Sequence, residues 1–196
     1  MTKLKNIILL LLTCTFVFSA HAQSSGQPVT AKQYFPSEFL NVYSPDSECW
    51  VVTGVGGNGM AFGKRGVEKN ETYGAQAILF KISQPGNSEE FVSFVKKRIA
   101  TMNPAPRFQE TAADFQQTDR RGYPCVDVRV NYDDNAADTP TGKEQLKLQI
   151  IALYCRHPVK QEFGFFAAYS HRGKTEDTKL ENAARGFIEA INVPKI

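Results

Sequence analysis

The sequence predicts an α+β domain, a mainly antiparallel sheet flanked by two helices. Three observations carry this expectation. Segments in the second half of the chain alternate apolar and polar residues with a period of two. Two other segments repeat apolar residues with helical spacing, one before these strands and one after them. The strands are grouped together rather than each being followed by a helix, which favours antiparallel pairing over parallel βαβ units.

In chain order, residues 39–43 and 49–55 are short strand candidates on either side of a turn at Ser44-Pro45-Asp46. Residues 54–66 are dense in glycine and read as a loop or a hairpin. Residues 72–82 form a stronger strand. Both of its faces are apolar near the end, so it is expected at the sheet centre, covered on both sides. Asn87 can cap a helix over 87–102, with Glu90 as capping-box partner and Phe91, Phe94, Val95, Ile99 and Met102 as its apolar stripe. Residues 123–132 alternate, with Val126, Val128, Val130 and Tyr132 on one face. Residues 146–155 do the same with Leu146, Leu148, Ile150, Ala152 and Tyr154. The polar stretch 133–144 between them is expected to be a long hairpin tip. Residues 163–171 are a third such strand. Thr178 and Glu181 form a capping box for a last helix over about 179–192.

The first 22 residues read as a signal peptide. Lys3 and Lys5 precede an apolar run over residues 7–18, and Ala20-His21-Ala22 fits the small-x-small cleavage pattern. The run is too short to span a bilayer, and no second one follows, so no transmembrane segment is expected in the mature chain. The expected mature N-terminus is Gln23. Lipidation at Cys14 is a minor alternative, because Thr13 stands where a small residue is usual. Residues 23–33 read as a flexible linker, and 34–196 as a single α+β domain. The localisation implied is the periplasm or the outside of the cell.

The formal net charge is +3, and loss of the two leader lysines leaves about +1. That balance argues against nucleic acid as a partner. The basic pairs and triplets Lys64-Arg65, Lys96-Lys97-Arg98 and Arg120-Arg121 read as ordinary surface charges. Three cysteines remain after the leader: Cys49, Cys125 and Cys155. An oxidising compartment permits one disulfide and one free thiol. Cys125 starts one hairpin strand and Cys155 ends the next, each on the face opposite its strand's apolar set, which favours a Cys125–Cys155 bridge. Cys49 is then a free, buried thiol. The rival pairing, Cys49 with either partner, would tie the N-terminal segment to the sheet.

No catalytic, cofactor-binding or metal-binding residue is assigned from the motifs. Gly54 to Gly59 fits G-x-G-x-x-G, but no helical stripe follows to hold a phosphate at its N-terminus. Asp133, Asn135 and Glu144 occupy positions 1, 3 and 12 of a calcium-loop register, yet Asp138 stands where the sharp turn needs glycine. His157 and His171 lack a second ligand at metal-binding spacing. Ser170 and His171, adjacent in a strand, point to opposite faces. Cys155 and His157 could share a face, but disulfide bonding or burial is the simpler reading of that thiol. Asn70-Glu71-Thr72 is a glycosylation sequon that matters only in a eukaryotic secretory pathway.

The order of segments resembles a known group. It comprises a Pro45…Trp50 segment, the strand at 73–82, and a helix opening Glu89-Glu90-Phe91. Antiparallel strands ending Phe165-Phe166-Ala167-Ala168-Tyr169-Ser170 follow, then a helix ending Phe187-Ile188-Glu189-Ala190-Ile191. This layout is similar to exported bacterial proteins of the PsbP-like α/β/α sandwich class, over residues 72–196. The resemblance implies a non-catalytic accessory or binding module for a protein or small ligand, with no cofactor. The alternative is an exported hydrolase-like enzyme whose site is assembled from scattered residues.

Overall fold

The computed structural model describes residues 26–56, 58–82 and 86–194. The leader expected at 1–22 lies outside the described residues. A seven-stranded sheet forms the body, in the order β3-β4-β5-β9-β8-β7-β6, with every pairing antiparallel. Its strands are β3 (Val51–Gly56), β4 (Gly59–Arg65), β5 (Thr72–Lys81), β6 (Phe108–Thr118), β7 (Cys125–Thr139), β8 (Gly142–Arg156) and β9 (Phe163–Gly173). A separate two-stranded ribbon pairs β1 (Tyr34–Phe35) with β2 (Val42–Tyr43). The helices are α1 (Ser88–Met102) and α2 (Leu180–Ala190). The expected α+β class with a mainly antiparallel sheet is what the chain adopts.

Period-two alternation divides the core between the two sheet faces. On one face, Phe91, Val95 and Ile99 of α1 pack on Phe80, Val126, Val128, Val130, Tyr154 and Phe166. On the other, Leu180, Ala184, Phe187 and Ile188 of α2 pack on Phe62, Leu79, Leu153, Phe165 and Tyr169, with fully buried Trp50. The N-terminal ribbon closes this second core through Leu40 and Val42. Residues expected to be a linker contribute to it as well. The Val29 and Val52 N–H groups donate to the Trp50 and Gln27 carbonyls respectively. The apolar Val29 side chain, 8% exposed, holds this stretch against the domain.

Helix α1 begins as its sequence suggests. The Asn87 side chain accepts a hydrogen bond from the Glu90 N–H at 2.9 Å, satisfying one of the donors that a helix start leaves free. The expected capping box of α2 does not form. Lys179 occupies its N-cap without a side-chain bond, because Glu181 is drawn into ion pairs with Arg129 and Arg185. The far end of α2 is capped from elsewhere: the Arg121 guanidinium donates to the Ile188 and Ile191 carbonyls, where cations also suit the helix dipole.

Two further expectations are corrected. Residues 133–144 are not a long polar tip. β7 and β8 continue through them to a tight turn at Pro140-Thr141, with a bulge between Asp134 and Ala137. Buried Ala137 and Asp134 hold this extension against the body. Cys49 is free but exposed, not buried, on a turn residue with φ of 68°. Trp50 takes the interior position instead.

The glycine-dense stretch is a hairpin. Gly59, with φ of 148°, opens β4. A Cβ there would overlap the Ala77 carbonyl oxygen of β5. Gly59→Ala is therefore expected to cost about 2–3 kcal/mol, because the new methyl group meets backbone rather than a movable side chain. Urea unfolding checks this; a loss within 0.5 kcal/mol, the ordinary spread of surface changes, would contradict it.

Candidate functional site

Strand register, rather than sequence proximity, assembles a row of polar side chains across the sheet. Lys64 of β4 lies opposite Tyr73 of β5, Tyr73 opposite His171 of β9, His171 opposite Gln149 of β8, and Gln149 opposite Asn131 of β7. These five side chains form one row across the face covered by α2. The connection from β9 to α2 folds over the row. Asp177 accepts from the Tyr73 hydroxyl at 3.1 Å, its own N–H donates to Gln149 Oε1 at 2.6 Å, and Glu176 accepts from Asn131.

His171 is 2% exposed at the centre of the row. Its Nε2 lies 3.0 Å from Glu71 Oε1 and its Nδ1 lies 3.3 Å from Gln149 Oε1. Burial alone would raise the Glu71 pKa. Hydrogen bonds from the Glu68 backbone, His171 and Tyr73 outweigh it and hold the carboxyl below its ordinary value. Burial, then the charges of Asp177 and Glu71, push the Tyr73 phenol well above its ordinary value, so it stays protonated as a donor. The Lys64 ammonium sits over the Trp50 and Tyr73 rings, 5.1 and 5.2 Å from their centroids.

An open cleft of about 370 Å³ adjoins this row, between the start of α2 and the β6 edge of the sheet. Gln149, Asn131 and Asp177 belong to both. The next row supplies Ile151, Arg129 and Asp114, again aligned by register. Arg129 grips Glu181 through two hydrogen bonds, of 3.1 and 2.8 Å. That contact keeps Glu181 below its ordinary pKa and Arg129 above its own. Chemically, the cleft offers fixed charges, an amide pair and an apolar floor. Across the cleft and the adjoining row, Glu181 and Glu71 are held ionised, Arg129 charged and Tyr73 neutral.

The residues singled out by motif do not gather here. Cys125 and Cys155 face each other across β7 and β8, with sulfurs at a disulfide distance of 2.06 Å, both buried. His157 is a structural staple. Its Nδ1 accepts from the Val159 and Lys160 N–H groups, and its Nε2 donates to the Phe39 carbonyl. Ser170 bonds to the Gly74 carbonyl, away from His171. Among the described residues, no Ser, Thr or Cys side chain hydrogen-bonds to a histidine.

The calcium-loop residues are dispersed as well. Asp133 pairs with Lys147, Asn135 with Gln145, and Glu144 with Thr141 and Asn70. Among the described residues, no group of three His, Cys, Asp or Glu side chains could hold a metal ion. The basic clusters are used within the fold: Arg98 stacks 4.4 Å from the Phe80 ring centroid, and Arg120 pairs with Asp127 and Glu189.

Glu71, Tyr73, Gln149 and Asp177 were not distinguished by the sequence reading. The available signal was a polar residue at each period-two position that faces the core, at the same end of three strands. No protein-family model matches the chain, and no curated protein is significantly similar to it.

Proposed function

We propose that this chain is an exported, non-catalytic binding or accessory domain of the PsbP-like α/β/α type, and that the cleft beside α2 is its recognition surface. The geometry of the cleft carries this reading: two hydrogen bonds lock Arg129 to Glu181, and Gln149 is held by the Asp177 N–H. These neighbours keep Glu181 and Arg129 charged, as His171 and Tyr73 do Glu71, while burial and then nearby acids keep Tyr73 protonated. A site built for acid–base chemistry pushes at least one group the other way. The placement of one helix core on each sheet face supports the sandwich assignment. Export is supported by the leader pattern and by the buried cysteine pair at bonding distance. In addition, no helix among the described residues is long and apolar enough to cross a membrane.

Two measurements test the proposal. Intact mass of the protein recovered outside the cytoplasm is expected to match a chain starting at Gln23; a lipid-modified Cys14 would overturn that part. Purified protein is expected to turn over none of a panel of ester, phosphate and glycoside substrates. Turnover abolished by both His171→Gln and Asp177→Asn would replace the binding reading with a hydrolase.

A further inference from the structure

The two edges of the sheet are treated differently. The β3 edge is covered, because the segment around Pro28 bridges to Val51 and bonds to Val52. The β6 edge is open. β6 pairs only with β7. Among the described residues, the only other backbone groups that reach it are at its ends: the turn bond at Phe108, and the Arg120 N–H, which donates to Thr118 Oγ1. Gln109 to Asp114 are all exposed. The strand has 11 residues, or about 36 Å of unpaired backbone on one side.

Exposed edges are ordinarily blunted with lysine, proline or a very short strand. β6 has none of these; its only protection is two acids, Glu110 and Asp114, and one bulge, between Glu110 and Ala112. We infer that the β6 edge is a docking site for an extended, lysine- or arginine-bearing segment of a partner protein, which adds as a further antiparallel or parallel strand. This deepens, and rests on, the reading of the chain as a binding domain.

Charge selects the occupant. β6 carries Glu110 and Asp114 and no cation. Among the described residues Glu110 makes no ion pair; Asp114 accepts from Gln116 Nε2 at 2.9 Å, and its one ion-pair partner is Arg129 at 4.0 Å, which Glu181 already holds. The adjoining cleft adds Asp177 and Glu181 against that single arginine. By register Glu110, opposite Tyr132, lies on the α1 face and Asp114, opposite Arg129, on the α2 face. Of the other cations around them, Lys96 on the α1 face lies over Phe115, Arg107 binds Asp134, and Arg185 pairs with Glu181. A second copy pairing through β6 would bring two more acids and no β6 cation to the edge, which disfavours it.

The test uses the isotope-labelled protein with two synthetic extended peptides of alternating threonine and valine. One bears lysines and the other glutamates at the same positions. The lysine peptide is expected to shift and protect the amides of β6, with the glutamate peptide about tenfold weaker. Glu110→Lys combined with Asp114→Asn is expected to abolish the response and leave the unfolding midpoint unchanged. Three results would overturn the inference: no change at β6, an equal response to both peptides, or β6 shifts that grow with protein concentration alone. Peptide binding elsewhere on the molecule would remove the edge assignment and leave the binding reading standing. Substrate turnover alongside the expected β6 response would do the reverse.

Discussion

Replacing Asp134 with alanine is expected to cost about 3–5 kcal/mol of folding stability, the range for breaking a buried ion pair from one side. The carboxylate is 0% exposed. It receives Arg107 through Nε at 2.8 Å and Nη2 at 3.1 Å, has Arg172 Nε at 3.2 Å, and accepts from the Ala136 N–H. Removing it strands two guanidiniums, one of them largely enclosed. Asp134→Asn is expected to fall in the same range, since the amide keeps the shape and loses the charge. The pH dependence follows from the same contacts. Burial would raise the Asp134 pKa, but the Arg107 bonds and the Arg172 charge outweigh it, so the folded value lies below the ordinary one. The stabilisation is thus fully present above the unfolded value of about 3.9 and is lost as pH falls through the lower folded value. Urea unfolding at neutral pH and near pH 3 reads both effects: the gap between wild type and variant is expected to narrow in acid. A gap below about 1 kcal/mol at neutral pH would show the cluster to be a surface-type pair.

The double variant Cys125→Ala/Cys155→Ala is expected to lose about 3.5 kcal/mol, the chain-entropy value for a loop of this size; the two positions are 30 residues apart. Both cysteines are nearly inaccessible, at 2% and 0% exposure. The bridge is therefore expected to resist reductant in the native protein and to open only on unfolding. Exposed Cys49 gives the internal control. Alkylation under native conditions is expected to add one label, at Cys49, and two more after denaturation with reductant. A labelled Cys125 or Cys155 in the native oxidised protein would contradict the assignment.

The elements legible in the sequence are those whose two faces meet different surroundings. The stripes of α1 and α2 follow from one side packing on the core, and the alternation of β7 from Val126, Val128, Val130 and Tyr132 packing under α1 while Asp127, Arg129 and Asn131 do not. The same parity placed Cys125 and Cys155 on a shared face. β9, buried on both faces, is the exception, legible from its nearly continuous apolar run. β6 was invisible for the complementary reason: Phe108 to Thr118 is exposed on most of both faces, so no apolar rhythm marks it. The continuation of β7 and β8 through residues 133–144 was hidden because Asp134, a charged residue, points inward. Its partners Arg107 and Arg172 lie far away in the sequence. The row from Lys64 to Asn131 was unreadable for a third reason. Alternation tells which face a residue takes, but only register tells which residues on different strands stand side by side.

The position of β9 has a consequence for the order in which the molecule can form. It is the last strand made, yet it lies between β5 and β8. Until residues from Phe163 onward are available, the chain holds two disconnected ribbons, β3-β4-β5 and β6-β7-β8, with one face of each unfilled. Insertion of β9 joins them along both of its edges at once, and α2 follows to cover Phe165 and Tyr169. Assembly is therefore a late, long-range event, slow by the measure of contact order. Nascent chains therefore stay open until β9 has been made.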